Sequence, residues 1–183
     1  MKLLALDPSS TCIGYALADA DTGVYHDAGR LTAPSTYAGT AKAFARILLL
    51  EEQLANLVFS ERPDAIVMEV PATRVYAGNR GQGAGLTTYA FAVGAYWRLL
   101  RGMVIPIGHR PLDQPSFALE LAVSDQWTKT GPYKASTKAA RVRNAKALVP
   151  GYQAHMDAGG DVADAICLLD WWRTGPTRAG GRG

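Results

Sequence analysis

Three short apolar segments separated by turn residues open the chain and predict three β-strands. Residues 2–7, KLLALD, and residues 12–19, CIGYALAD, are almost entirely apolar or small, and the turn-forming sequence PSST lies between them. Residues 23–33, GVYHDAGRLTA, form the third segment. Sequential strands with such short connections usually pair with their neighbours, so the pattern predicts an antiparallel meander.

The apolar positions then change to helical spacing. They recur three or four residues apart from about residue 37 to residue 60, and the sequence ERPD ends this predicted helix. The apolar positions concerned are Phe44, Ile47, Leu48, Leu54, Leu57 and Val58. The segment AIVMEV, residues 65–70, is short and apolar, which predicts a strand buried on both faces.

Helical and extended patterns alternate over the rest of the chain. We predict a second helix at 86–100, a fifth strand at 103–108 (MVIPIG), a short helix at 115–123 (PSFALELAV), a basic helix at 138–148 and a last helix at 161–172. A meander followed by this alternation predicts an α/β fold, in which helices flank a five-stranded mixed sheet.

Two carboxylates lie at the ends of apolar strands, where acids are rarely buried without a partner. Asp7 ends the first strand, and Glu69 lies near the end of the fourth. If these strands are parallel neighbours, both acids reach the edge at which α/β sheets bind their ligands. Asp161 and Asp164 lie three residues apart, on one face of the first turn of the last helix.

Four converging carboxylates repel one another unless a cation neutralises them. Hard oxygen ligands of this kind suit Mg²⁺, for which Mn²⁺ would substitute. Two such ions about 4 Å apart can activate a water molecule and stabilise the leaving oxygen of a phosphodiester. We therefore predict that Asp7, Glu69, Asp161 and Asp164 are catalytic residues and metal ligands.

Each acid also has a purely structural interpretation. Asp7 can cap the turn formed by PSST, Asp161 is a good N-cap candidate for the last helix, and Asp164 would interact favourably with the helix dipole. Taken singly, the structural interpretation is favoured for Asp161 and Asp164 and evenly matched for Asp7 and Glu69. The set of four favours the metal site.

Composition narrows the classes of protein to consider. The chain has 183 residues, 48% of them hydrophobic, which suffices for one globular domain, and a formal net charge of +3 that permits a polyanionic partner. Its apolar stretches are too short for a membrane span, so we expect no membrane association. The two cysteines lack metal-binding spacing, so we expect a reduced, cytoplasmic protein. The Gly-rich tail, 175–183, is predicted to be disordered.

Basic residues are concentrated in two acid-free stretches, each beside an acidic cluster. One extends from Glu69 to Asp113 and the other from Asp125 to Asp157. Short charge runs are usually solvated helix faces, but the length of these stretches favours binding of DNA phosphates. The basic residues that we predict to contact DNA are Arg74, Arg80, Lys129, Lys134, Lys138, Arg141 and Arg143.

The ordered motifs resemble the RNase H-like nucleases and, more narrowly, the RuvC-type Holliday-junction resolvases. The matching segments are LLALDPSSTCIGYAL, AIVMEV and DVADAICLLDWW, where that family has an aspartate, a glutamate and two aspartates as metal ligands. The resemblance implies an RNase H-like nuclease domain over residues 1–174. It implies a Mg²⁺-dependent crossover junction endodeoxyribonuclease of DNA recombination and repair, acting as a homodimer with one active site for each of two cuts.

The resemblance also assigns roles to single residues. KASTKAARV is similar to the basic segment ahead of the family's last helix, which implies that Lys138, and less firmly Lys134, contact the scissile phosphate. The family carries an aromatic wedge for the junction centre in the segment after the glutamate, and Tyr76 is the aromatic available there. That segment is longer and more Gly-rich than usual in the family, which points to a divergent or phage-type member.

Other functions remain open at this point. An RNase H-like nuclease acting on flaps, other branched DNA or RNA would need the same acids. DPSSTCIG resembles the first phosphate motif of actin-like ATPases and sugar kinases, but a second D-x-G loop is missing and the chain is short for their paired domains. A DNA-binding protein that has lost catalysis is disfavoured by the intact set of acids.

Overall fold

The computed structural model describes residues 1–34, 40–70, 83–103, 117–123, 127–128, 133, 137–157 and 159–175. Its strands form one sheet and are β1 (Lys2–Pro8), β2 (Cys12–Asp19), β3 (Tyr25–Thr32), β4 (Ala65–Val70) and β5 (Ala118–Val123). The α-helices of the described residues are α1 (Thr40–Glu61), α2 (Gly83–Met103), α3 (Lys138–Leu148) and α4 (Asp161–Thr174). The predicted five-stranded mixed sheet with flanking helices is confirmed.

The strands follow the order β3-β2-β1-β4-β5 across the sheet. The first three strands pair in antiparallel fashion, which confirms the predicted meander. Strand β4 pairs in parallel with β1 on one side and with β5 on the other. The β1–β4 register aligns Leu6 with Met68, so the next residues, Asp7 and Glu69, emerge side by side at the same edge.

Each face of the sheet has its own hydrophobic core, because side chains alternate between the faces along a strand. Leu4 and Leu6 of β1 pack with α1 and α2 on one face. Leu3 and Ala5 pack on the other face, against α4. Helix α4 is buried continuously from residue 162 to residue 170, with α3 packed outside it. The face that carries α4 is also the face toward which Asp7 and Glu69 point, since both continue the alternation of Leu3 and Ala5.

The fifth strand is not where the sequence predicts it. Met103, the first residue of MVIPIG, is the last residue of α2, and residues 104–108 lie outside the described residues. The strand is Ala118–Val123, within the segment predicted as a short helix. Alanine, leucine and glutamate favour helices in isolation, but this segment pairs along the whole of β4, and that tertiary pairing overrides the local preference.

Four of the five predicted helices are confirmed, with shifts of up to three residues at their ends, and the predicted helix at 115–123 is the exception. Helix α1 ends at Glu61, and Arg62 adopts a positive φ of 47° ahead of a proline, which stops it. Helix α2 is longer than predicted by three residues at each end, and α4 extends two residues further than predicted. None of the helices in the described part of the chain is long and apolar enough to cross a membrane. The predicted tail, apart from Gly175, lies outside the described residues.

Helix α4 lies so close to the sheet at Gly14 that no side chain fits between them. A Cβ atom at Gly14 would overlap the backbone carbonyl of Asp161, the first residue of α4. Gly14 is paired with Asp7 in β1 and with Arg30 in β3. The missing side chain therefore lets the first turn of α4 rest directly beside the strand end that carries Asp7.

We expect Gly14→Ala to destabilise the protein by about 1–3 kcal/mol, because the added methyl group must displace backbone atoms of α4. The matched control is Gly102→Ala in α2, where an added Cβ meets nothing within 4 Å. That control should leave stability unchanged or raise it by about 0.5–1 kcal/mol, since alanine favours the helix. Denaturant unfolding of both variants measures the difference, and equal stabilities would contradict the close packing at Gly14.

Candidate active site

The site is built on one row of residues that crosses the sheet. The row contains Arg30 of β3, Gly14 of β2, Asp7 of β1 and Glu69 of β4, followed by Ala122 of β5. The small residues in this row leave room above the sheet, and the start of α4 occupies part of that room. The row therefore places two acids next to the helix that carries the other two.

Helix α4 is capped by Asp157 and not by Asp161. The Asp157 carboxylate accepts hydrogen bonds from the backbone N–H groups of residues 162 and 163, at 3.2 and 2.9 Å, and from the Tyr152 hydroxyl at 2.7 Å. The N-cap position itself is Gly160, in the left-handed region with φ 73°. The interpretation of Asp161 as the N-cap is therefore wrong, and its carboxylate is available for other contacts.

The four predicted acids influence one another electrostatically. The pKa of Asp7 is raised well above its usual range, first by burial and then by the charges of Glu69, Asp164 and Asp161. Burial, followed by the charge of Asp164, raises the pKa of Glu69 to about 7. Burial raises the pKa of Asp164 too, although its hydrogen bond from Arg141 opposes the shift. The charges of all three other acids thus affect the pKa of Asp7, which shows that the fold has brought the four acids close together.

Two cations of α3 face Asp164. Arg141 donates a short hydrogen bond from Nε to Oδ1 and a second one from Nη2 to Oδ2 at 3.3 Å. Lys138 Nζ lies 3.9 Å from Oδ2, and the stem of this lysine passes over Gly160. The Arg141 side chain is 15% exposed, whereas that of Lys138 is 53% exposed. Arg141 is therefore an internal partner of Asp164, and Lys138 lies at the rim of the site.

Glu69 and Asp161 have partners of a different kind. The indole N–H of Trp127 donates to Glu69 Oε2 at 3.0 Å. The Cys12 thiol donates to Asp161 Oδ2 at 3.1 Å, and Arg30 Nε lies 3.7 Å from the same oxygen. Glu69 thus has a neutral hydrogen-bond donor, whereas Asp161 has a neutral donor in Cys12 and a cation, Arg30, nearby.

Within the described residues, no three Asp, Glu, His or Cys side chains are arranged so that they could hold one metal ion as they stand. Glu69, Asp161 and Asp164 each accept a hydrogen bond from a protein donor. The donor set nevertheless fits Mg²⁺ or Mn²⁺ in its chemistry. It offers hard carboxylate oxygens, and the charges of Glu69, Asp164 and Asp161 add to burial in raising the pKa of Asp7, which a nearby divalent cation would lower.

The residues predicted to contact DNA are only partly described. Arg143 of α3 is exposed to solvent, as is Lys138. Arg141 is instead turned toward Asp164. The predicted contacts that lie outside the described residues are Arg74, Tyr76, Arg80, Lys129 and Lys134.

Sequence reasoning missed three residues of the site, namely Trp127, Arg30 and Asp157. Trp127 is a lone tryptophan in a polar segment, and such a residue in a loop is a signal of burial or function. Arg30 reaches the site through the pairing of β3 with β2, which only the strand order reveals. Asp157 lies four residues before Asp161, and the intervening glycines concealed its capping role.

Comparison with known proteins identifies the fold. No protein-family model and no curated protein sequence matches the chain. Among solved structures, it is similar to Thermus thermophilus RuvC in complex with Holliday junction substrate, with a TM-score of 0.64 and 14% identity over 92% of this chain and 90% of that one. It is also similar to a second Thermus thermophilus RuvC structure, with a TM-score of 0.57 and 13% identity over 96% and 97% of the two chains. The chain therefore has the fold of RuvC.

We expect the metal-free protein to lose stability as the pH rises through about 7. Glu69 holds its proton more tightly in the folded protein than in the unfolded chain, where its pKa is about 4.5, so its deprotonation opposes folding. This contribution is complete below about pH 4.5 and is lost as the pH rises through the folded pKa. Unfolding in a chelator at pH 5 and pH 8 should show wild type losing about 1–3 kcal/mol relative to Glu69→Gln. Parallel pH profiles of the two proteins would contradict the expectation.

Proposed function

We propose that this protein is a Mg²⁺-dependent endonuclease that cuts four-way DNA junctions as a homodimer. The meeting of Asp7, Glu69, Asp161 and Asp164 at one edge of the sheet carries the proposal. The similarity to a RuvC bound to Holliday junction substrate supports branched DNA as the substrate. We assign the protein to DNA recombination and repair in the cytoplasm, where its two buried, free cysteines would stay reduced.

Asp7, Glu69, Asp161 and Asp164 would hold the metal, the last two from the first turn of α4. When bound, Mg²⁺ would supply an activated water and charge stabilisation for the leaving oxygen of a phosphodiester. Asp164 keeps lone pairs for a metal even with Arg141 bound, because a carboxylate has about four acceptor positions. Arg141 meanwhile limits the repulsion between Asp164 and Asp7.

Lys138 would contact the phosphate that is cut. Its ammonium group lies at the rim of the carboxylates and more than half of its side chain is exposed, so an incoming phosphate can reach it. A positive charge at this position stabilises the additional negative charge of the transition state. Arg143, exposed on the same helix, would bind the flanking backbone. The wedge role of Tyr76 and the DNA contacts of Arg74, Arg80, Lys129 and Lys134 remain predictions.

An exposed apolar groove between α1 and α2 supports the homodimer. Phe44, Leu48 and Phe91 are 54%, 65% and 50% exposed, and they line a groove of about 560 Å³. The rings of Phe44 and Phe91 meet edge to face at 4.9 Å. This groove lies on the face of the sheet opposite α4. A second copy bound here would leave both carboxylate sites open, which a junction with two scissile strands requires.

The experiment that tests the proposed activity is cleavage of immobile four-way junction, flap and linear duplex DNA in Mg²⁺. We expect junction cleavage, and we expect Asp7→Asn, Glu69→Gln and Asp164→Asn each to lower its rate by about 100-fold or more, because each removes a ligand charge. Junction affinity should be retained, since the basic surface is unchanged. Near-wild-type cleavage by Asp7→Asn would contradict the metal site. Faster cleavage of flaps than of four-way junctions would show that flaps are the preferred substrate.

Lys138 and Arg143 should differ in what their removal affects. Lys138→Ala is expected to lower the cleavage rate much more than junction affinity, because its charge acts at the site. Arg143→Ala should mainly weaken binding and reduce the salt dependence of affinity by about one counterion. Single-turnover cleavage and binding titrations at several salt concentrations separate these effects. If both substitutions changed both quantities equally, Lys138 would be a general phosphate contact only.

The groove between α1 and α2 predicts a specific dimer-breaking variant. We expect Phe91→Glu to give a monomer, because a new carboxylate among the apolar residues that line the groove is costly to bury against a second copy. Phe59→Glu is the matched control, since Phe59 is 48% exposed but does not line the groove. Light scattering after size-exclusion chromatography reports the mass of each variant. A Phe91→Glu protein that remained a dimer would exclude this groove as the interface.

A further inference from the structure

Trp127 contacts two of the four site carboxylates, one directly and one through an arginine. Its indole N–H donates to Glu69 Oε2 at 3.0 Å. The guanidinium group of Arg141 lies over the indole ring, 5.7 Å from its centroid, and the same guanidinium group binds Asp164. Glu69 and Asp164 belong to a strand and a helix that are distant in the chain, and Trp127 connects them.

The indole ring of Trp127 packs against a second buried aromatic residue, Tyr133. Trp127 is 1% exposed, and Tyr133 packs edge to face against it with ring centroids 6.0 Å apart. The Tyr133 hydroxyl in turn donates to Asp170 Oδ2 at 2.8 Å, on the buried side of α4. Both aromatic residues are therefore anchored to the helix that begins with Asp161 and Asp164. Both side chains are buried in the core on the α4 face of the sheet.

We propose that Trp127 is a positioning residue that orients Glu69 and, through Arg141, Asp164 for binding of the divalent cation. The proposal rests on the proposed metal-dependent nuclease function. Trp127 does not touch the reacting atoms, and it acts by limiting the orientations of the two carboxylates. Partners of this kind, which bind metal ligands and not the metal, typically contribute about 10–100-fold to metal affinity or activity.

The chemistry of the indole suits this role. An indole has one N–H donor and no acceptor, so it fixes one oxygen of Glu69 and leaves the other oxygen to the cluster of acids. The donor is neutral, and it therefore orients the carboxylate without cancelling the charge that a cation would need. The flat face of the ring gives the Arg141 guanidinium a surface to lie on, which a smaller apolar side chain would supply less well.

The alternative is that Trp127 is simply a core residue whose N–H needed an acceptor. The chain provides a matched residue for this comparison. Trp172 of α4 is 6% exposed, and its indole N–H donates to Glu120 Oε2 at 2.9 Å, outside the site. Both tryptophans are buried and both bind a glutamate of the sheet. They differ in whether that glutamate is one of the four site acids.

The experiment compares Trp127→Phe with Trp172→Phe in the full chain. Each substitution removes one indole N–H and leaves an aromatic ring in the core, so both should lower the melting temperature to a similar extent. We expect Trp127→Phe to weaken Mn²⁺ binding, measured by calorimetry without DNA, by about 10-fold or more, and Trp172→Phe by less than about 2-fold. Junction affinity in a chelator should be the same for both variants, because neither residue is on the DNA-binding surface.

Equal Mn²⁺ affinities of the two variants would overturn the positioning role, whatever the melting temperatures. If Trp127→Phe does not fold, Trp127→Met and Trp172→Met provide the same comparison with a flexible apolar side chain that fills the space and has no donor. Failure of the proposed function is detected by different measurements, namely Mn²⁺ binding and DNA cleavage by the wild-type protein. A wild-type protein that binds Mn²⁺ but cuts no branched DNA would overturn the nuclease assignment, while the affinity difference would still support the role of Trp127. A wild-type protein that binds no Mn²⁺ would overturn both.

Discussion

The close contact between the first turn of α4 and Gly14 of β2 is the constraint on which the site depends. Because Gly14 has no side chain, the backbone of Asp161 can lie directly on the sheet, one strand away from Asp7. The cap at Asp157 fixes where the helix begins, and so fixes which residues form this first turn. A helix displaced outward by one methyl group would separate the acids of the helix from those of the strands.

The same close packing brings four carboxylates together, and different side chains offset the repulsion between them. Asp164 faces two cations of α3, Asp161 faces Arg30 and the Cys12 thiol, and Glu69 accepts a hydrogen bond from the neutral indole of Trp127. The pKa of Asp7 is raised by burial and by the charges of all three other acids. The cations and the neutral donor around the four acids limit the repulsion between them.

The strands β1, β2 and β4 and the helix α3 could be predicted within a residue from the sequence, because local pattern and tertiary environment agree there. Strand β5 could not, since its residues favour a helix and only the free edge of β4 makes them a strand. The four acids could be found because charges in apolar runs are conspicuous. Trp127 could not be assigned, since its role comes from a contact with Glu69 across 58 positions of sequence.

Helix α3 carries cations in different environments. Lys138 and Arg141 are three residues apart and share the face toward the acids, while Arg143 points to solvent. Arg141 is enclosed and tied to Asp164, so it shapes the site. Lys138 lies at the rim, half exposed, where it can reach both the acids and a phosphate outside. Attraction of a polyanion needs only exposed charge, whereas stabilising a reacting phosphate needs a charge near the reacting atoms. Under the proposed function, Lys138 would therefore act on the phosphate and Arg143 on the DNA backbone, because Lys138 is the one of the two that lies beside Asp164.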